Sequence, residues 1–283
     1  MQNPPFRVSC VFSPAATHLI FVFRFAKPAS LFYNRIRKAD GGFMQVHLRP
    51  RLAAAASFLC GFRTVADIGS DHGRLAVALL QQSSATRVIA SDISADSLTK
   101  ARALALRCGV SEEQLAFSVS DGLSHLAPGE ADALVFAGMG GELIARLLEE
   151  GTAVAQAAEC IVMQPMGGTL ELRRFLLEQG YALADEQLVL DAGRYYQIIA
   201  AKPGPGQPAD IPCDALLEFG PIAFAKRDPA LYPALLRCRD SRLRRMRKAE
   251  QRGIVPPQLA HALYGVQELL NILERERQTN EVN

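Results

Sequence analysis

The sequence lacks any cysteine pattern. Its six cysteines, Cys10, Cys60, Cys108, Cys160, Cys213 and Cys238, are scattered over 283 residues. None forms a Cys-x-x-Cys pair or has a nearby histidine partner. That argues against a disulfide framework and a zinc site, so no metal is expected and a reducing cytoplasm is the default. No apolar run reaches the length of a transmembrane helix, and no membrane partner is expected. The short apolar stretch His18–Ala26 is interrupted by Arg24 and followed by no small-x-small cleavage site, so it does not read as a secretory leader. Internal repeats are absent. Net charge is also small, at +2, and as a total it excludes little.

The distribution of charge is more informative. Residues 1–43 carry six Lys/Arg against one acid, residues 44–202 carry 13 against 18, and residues 203–283 carry 12 against 10. A weakly acidic body with a locally basic tail follows. Met44 is read as the start of the enzyme proper, and residues 1–43 as a disordered or mis-assigned extension. The length accommodates one full α/β domain and a smaller unit.

From residue 44 onward, strand and helix patterns alternate. Val46–Leu59 has helical spacing. Thr64–Ile68 reads as a strand, Arg74–Gln82 as a helix and Arg87–Ser91 as a second strand. Ser94 is placed to cap the following helix, with Asp96 in its first turn. Leu115–Val119, Ala131–Ala137 and Cys160–Met163 are three more strands, with helices after the last two. Tyr181–Leu190 and Tyr195–Ala201 then read as two strands around the turn Asp191–Arg194. The expected fold is therefore an α/β, Rossmann-like sheet closed by an antiparallel β-hairpin over 44–202. A linker covers 203–227, and an α-helical hairpin covers 228–283, broken at Gly253 and Pro256-Pro257.

The stretch Val65-Ala-Asp-Ile-Gly-Ser-Asp-His-Gly73 is a strand, a tight glycine turn and a helix start, the usual frame of a nucleotide site. Asp67 and Asp71 place two carboxylates in that turn. A pyrophosphate at a helix N-terminus avoids such charges, whereas a ligand with cationic and hydroxyl groups suits them. That points to S-adenosylmethionine, held by Asp67, Gly69, Ser70, His72 and Gly73. Asp92 and Ile93, at the tip of the second strand, are placed for ribose hydroxyls. Asp121 and Gly122, after the third strand, are placed for the adenine edge. Ala137 and Gly138 close the cofactor set.

Met139 and Gly140 follow at the mouth of a central strand, with Gln164 and Pro165 one strand over. These four are candidates for contact with a nucleobase. Tyr195 and Tyr196 alternate faces, so at most one meets substrate, with Tyr195 the candidate. Seven cations lie between Arg237 and Lys248, with only Asp240 against them. A solvated helix face and a phosphate-contacting surface both account for that run, and Arg242 and Arg245 are the candidates for the second. The residues alone also leave open an NAD dehydrogenase, a non-catalytic RNA-binding protein and a small-molecule methyltransferase.

The blocks Val65–Gly73, Ala137-Gly-Met-Gly-Gly141, Gln164-Pro165 with Leu172-Arg173, Tyr196-Gln-Ile-Ile199 and Glu218-Phe-Gly-Pro221 together resemble the TrmK family. These are bacterial tRNA methyltransferases that act on N1 of adenine 22. The resemblance runs from about Met44 to the C-terminus, with Met166 where the family often has Asn. It implies a class I methyltransferase domain with a C-terminal helical hairpin, S-adenosylmethionine as cofactor and tRNA as partner. It also implies a carboxylate near an adenine ring that becomes cationic on methylation, with Asp71 the first candidate.

Overall fold

The computed structural model describes residues 43–204 and 213–282. The expectation for residues 1–42 lies outside the described residues. Residues 44–49 are extended rather than helical. They are tied down by Gln81, which accepts from the Val46 amide (3.0 Å) and donates to the Met44 carbonyl (2.9 Å), and by Gln82, which donates to the Val46 carbonyl. Helix α1 (Pro50–Phe58) starts only at Pro50, because proline's fixed φ and missing N–H suit the first helical position.

Then follow β1 (Thr64–Ile68), α2 (Arg74–Gln82), β2 (Arg87–Asp92), α3 (Ala95–Arg107), β3 (Leu115–Val119), β4 (Ala133–Met139), α4 (Gly141–Glu150), α5 (Thr152–Ala157), β5 (Cys160–Pro165) and α6 (Thr169–Glu178). Strands β6 (Tyr181–Asp191) and β7 (Arg194–Pro203) complete the domain. The Ser94 hydroxyl accepts from the Ser97 amide at the start of α3, so the expected cap forms.

The seven strands lie in the order β3-β2-β1-β4-β5-β7-β6. The first five are parallel; β7 runs antiparallel to β5 and β6 to β7. Strand residues alternate between two apolar layers, as the period of two requires. Val65, Val88 and Val135 pack towards α1 and α2, while Ile68, Ile89 and Phe136 pack towards α4 and α6. Strand order reverses between β1 and β4. An open α/β sheet leaves a crevice beyond the carboxyl ends of the strands at that point.

After residue 204 the structure departs from the linker expectation. Residues 213–227 contain α7 (Asp214–Phe219) and α8 (Pro221–Ala225), whose Leu216, Phe219 and Phe224 are buried. The helical hairpin, α9 (Leu231–Gln251) and α10 (Pro257–Val282), forms as expected. It shares a third apolar cluster with α7, α8 and Leu188 of β6. Seating a hairpin on an outer strand needs more contact than one linker supplies, and the two short helices provide it. Among the described residues no helix is long and apolar enough to cross a membrane.

Candidate functional site: a charged crevice at the β1–β4 switch point

A cavity of about 670 Å³ opens where the strand order reverses. Its floor is the turn after β1. Gly69 and Ser70 both donate their amides to the Ser91 carbonyl (2.8 and 2.9 Å), which locks the turn against β2. Gly69 has φ +71°, and a Cβ there would meet Met139 Cε at 2.0 Å. The positive φ favours glycine here, and any larger side chain would also displace the methionine tip lying across it.

Asp67 is 2% exposed and accepts from the Ser70 hydroxyl at 2.7 Å. Burial pushes its carboxyl up to about 6, against the opposing pull of the Ser70 and Ala76 hydrogen bonds. Asp92 accepts from two amides, that of Ser94 at Oδ1 (2.8 Å) and that of Asp71 at Oδ2 (3.0 Å). Each carboxylate oxygen keeps lone-pair capacity free for a further donor. That fixed, doubly braced carboxylate suits a pair of ribose hydroxyls.

Of the residues expected at the cofactor, Asp67, Gly69, Ser70, His72, Asp92, Ile93, Asp121, Gly122, Ala137 and Gly138 all line this cavity. Gly73 does not. It sits behind the turn, where a Cβ would strike Ala101 at 2.7 Å, so its part is helix packing. Asp71 lines the cavity from the β2 side. Its carboxylate pairs with His72 Nδ1 at 2.8 Å and lies 3.5 Å from the Ser97 hydroxyl of α3. This places Asp71 on the β2 side of the same cavity that Ala137, Gly138 and Met139 line from β4.

The substrate-side residues divide. Met139 lines the cavity, next to a break in the β4–β5 register between Ala137 and Met139; such bulges re-aim side chains beside active sites. Gly140 is exposed at the rim, and the neighbouring Gly141 amide donates to the Gly167 carbonyl at 2.8 Å. A Cβ at Gly141 would stand 2.2 Å from the Gly168 oxygen, so this approach of two loops is open only to glycine.

Gln164 and Pro165 are buried and do not line the crevice. The Gln164 carbonyl oxygen accepts from Arg51 Nη1 at 2.5 Å, and its amide nitrogen donates to the Pro165 carbonyl at 3.1 Å. Its side chain thus holds Arg51, which does line the crevice. Tyr195 faces the hairpin, with the Arg237 guanidinium 5.5 Å from its ring. Tyr196 is the member of the pair on the crevice side, between Arg51 at 5.9 Å and Arg194 at 5.5 Å.

Arg242 is also redirected. It donates to both oxygens of Glu218 (2.6 and 2.8 Å) and to the Ala262 carbonyl (2.9 Å), clasping α7 to the hairpin. Arg245 remains exposed.

Sequence reasoning missed Arg49, Arg51 and Arg74, all of which line the crevice. Arg49 and Arg51 approach the two oxygens of buried Asp191, at 3.0 and 3.8 Å. The available signal was Arg49-Pro50-Arg51, two cations at the opening of a helix whose other residues are nearly all apolar.

Residues 48–199 match the model of a methyltransferase domain family. Over 190 residues the chain is 31% identical to the tRNA (adenine(22)-N(1))-methyltransferase of Bacillus subtilis, spanning 66% of this chain and 79% of that relative. The chain belongs to this methyltransferase family. The crystal structure of the B. subtilis M1A22 tRNA methyltransferase TrmK superposes with a TM-score of 0.68 at 25% identity, covering 82% of this chain and 99% of that one. M. capricolum TrmK, in complex with the cofactor product S-adenosyl-homocysteine, shares the fold at 18% identity, with a TM-score of 0.66 over 80% of this chain and 98% of that one.

Proposed function

We propose that this chain transfers the methyl group of S-adenosylmethionine to N1 of adenine 22 in tRNA. The observation that carries this reading is the crevice at the β1–β4 switch point, with an aspartate at the end of each of β1, β2 and β3, in a chain 31% identical to a relative of that named activity.

The residues present fit the cofactor. Asp92 offers braced lone pairs to the ribose hydroxyls, and Asp121 and Gly122 lie at the end of β3 for the adenine edge. Asp67 would supply negative charge for the ammonium and sulfonium, and Arg49 and Arg51, which also face Asp191, would supply positive charge for the carboxylate. A pyrophosphate is disfavoured by Asp67 and Asp71 in the same turn. When bound, S-adenosylmethionine supplies a methyl group already activated by the sulfonium.

The chain's own task is chiefly placement. Adenine N1 is a neutral nucleophile once unpaired, so aligning it and excluding water supply most of the rate. Gly138, Gly140 and Gly141 leave the β4 mouth nearly free of side chains, so a flat base can approach. Unstacking that base costs a few kcal/mol, which contacts to the RNA backbone offset. Methylation makes the ring cationic, and a carboxylate of the crevice lining, from Asp67, Asp71, Asp92 or Asp121, would favour that charge. Asp71 is assigned to holding the cofactor loop through His72 and Asp92.

The test is methyl incorporation from labelled S-adenosylmethionine into an unmodified tRNA transcript. Incorporation is expected with adenine at position 22 and none with guanine there. Equal labelling of both transcripts contradicts the reading.

A further inference from the structure

The hairpin carries its cations in two distinct states. Near the methyltransferase domain they are neutralised: Arg227 pairs with Glu276, Arg239 with Asp240 and Arg242 with Glu218. Farther along α9, Arg244, Arg245, Arg247 and Lys248 are exposed, as is Arg252 just beyond it, and none has a carboxylate within ion-pair distance among the described residues.

Three of the exposed cations are also aligned, with Arg245 and Arg247 about 80° to either side of them. Arg237, Arg244 and Lys248 follow one another at seven and four residues, which at 100° per residue puts them within about 40° of arc. Arg252 continues the same side. The centre of Arg237, Arg244 and Lys248 lies about 120° from the mean direction of Leu231, Ala234, Leu235 and the Arg242 clasp, with Ala234 about 60° from it. From Arg237 to Arg252 the row extends about 22 Å at 1.5 Å per residue.

Its domain end is fixed at the crevice. Arg237 donates to the Gly193 carbonyl in the β6–β7 turn and lies over Tyr195. The same turn presents Arg194 over Tyr196, whose other neighbour is Arg51 of the crevice wall. Arginines therefore continue from the crevice, across the turn, onto one face of the helix. The other side of the hairpin differs: the groove between α6 and α10 contains Glu171, Asp214, Glu218 and Glu268, and its one arginine is Arg242, already bound to Glu218.

We infer that one strand of the substrate's sugar–phosphate backbone runs along this track, from Arg194 and Arg237 at the crevice rim through Arg244 and Lys248 to Arg252, and that the acidic groove carries no phosphate. The inference rests on the tRNA reading above and specifies which face of the hairpin the RNA occupies. Charge complementarity selects the partner, because an exposed row of unpaired guanidinium and ammonium groups is matched by a polyanion.

The test uses full-length protein and an unmodified tRNA transcript, with binding followed by anisotropy from 50 to 200 mM salt. Arg244→Gln/Lys248→Gln is expected to weaken binding at least tenfold and to reduce the slope of log K against log salt by about 1.4–1.8, at 0.7–0.9 per lost phosphate contact. The KM for tRNA rises while S-adenosylmethionine affinity is unchanged. Glu171→Gln/Glu268→Gln in the groove is expected to leave both affinity and slope as they are. Unchanged binding in the Arg244/Lys248 variant, or tighter binding with a steeper slope in the groove variant, overturns the track. If the parent protein methylates adenine 22 while the Arg244/Lys248 variant behaves like it, the track alone fails. If the parent binds S-adenosylmethionine yet neither binds nor methylates the transcript, the tRNA reading fails first.

Discussion

At the residue scale, the turn after β1 holds opposing demands. Asp67 is buried with its carboxyl pushed up to about 6 by desolvation. The folded protein therefore holds that proton more tightly than the unfolded chain does, and stability increases as pH falls from above 6 towards 4. Asp67→Asn removes the cost: thermal melts should show the variant more stable than the parent at pH 8, by on the order of 2–3 kcal/mol, with no advantage at pH 4. A gain that persists in acid contradicts burial as the cause. The same ionised carboxylate favours a cationic ligand, so the gain in stability at pH 8 is expected to come with weaker S-adenosylmethionine binding. Asp71 and Asp92 share one hydrogen bond at the β2 end of the crevice. Asp92→Ala should cost S-adenosylmethionine affinity more than tenfold, and Asp71→Ala less. In both, turnover at saturating cofactor should stay within about threefold of the parent, which is small beside the 10²–10⁴ typical of losing an acid–base group. A large loss of turnover in Asp71→Ala, with cofactor affinity kept, restores it to the chemistry.

At the element scale, the hairpin is joined to the sheet through a buried polar hub. Arg173 of α6 is fully buried; it donates to Glu186 of β6 at 2.6 Å, to Gln197 of β7 at 2.7 Å, and to the Leu217 and Glu218 carbonyls of α7. Glu186 in turn accepts from the Ile222 and Ala223 amides at the start of α8. Removing one partner strands a buried charge, so Arg173→Met is expected to lower unfolding free energy by about 3–5 kcal/mol, measured by denaturant titration. Arg173→Met with Glu186→Leu should lose less than the sum of the two single changes; strict additivity contradicts the coupling. This hub also marks where sequence reading ends. Parallel strands such as Ala133–Phe136 are buried on both faces and read as apolar runs, and Ser94 capping α3 is local chemistry, so both were legible. Arg173, Gln197 and Glu218 stand 24 and 21 residues apart, and nothing local shows that they converge. For the same reason Gln164 reads as a free amide and Arg242 as a free cation until Arg51 and Glu218 are seen opposite them. The helices at 214–225 are too short to carry a periodic signal.

At the scale of the whole molecule, charge is balanced in the crevice and unbalanced on the hairpin. Four aspartates and four arginines line the crevice, whereas Arg244, Arg245, Arg247 and Lys248 of α9 are exposed with no carboxylate in ion-pair distance among the described residues. Three strand ends each carry their own aspartate in the sequence, and the structure brings all three to one crevice. The basic helix was legible as well, but not which of its cations the fold neutralises. The most direct measurement of the central claim is mass-spectrometric mapping of a tRNA transcript after incubation with the protein and S-adenosylmethionine. The expected result is one added methyl per transcript, at position 22, released on digestion as 1-methyladenosine. A methyl group at another position, at N6 of that adenine, or on no nucleotide despite measurable cofactor binding, contradicts it.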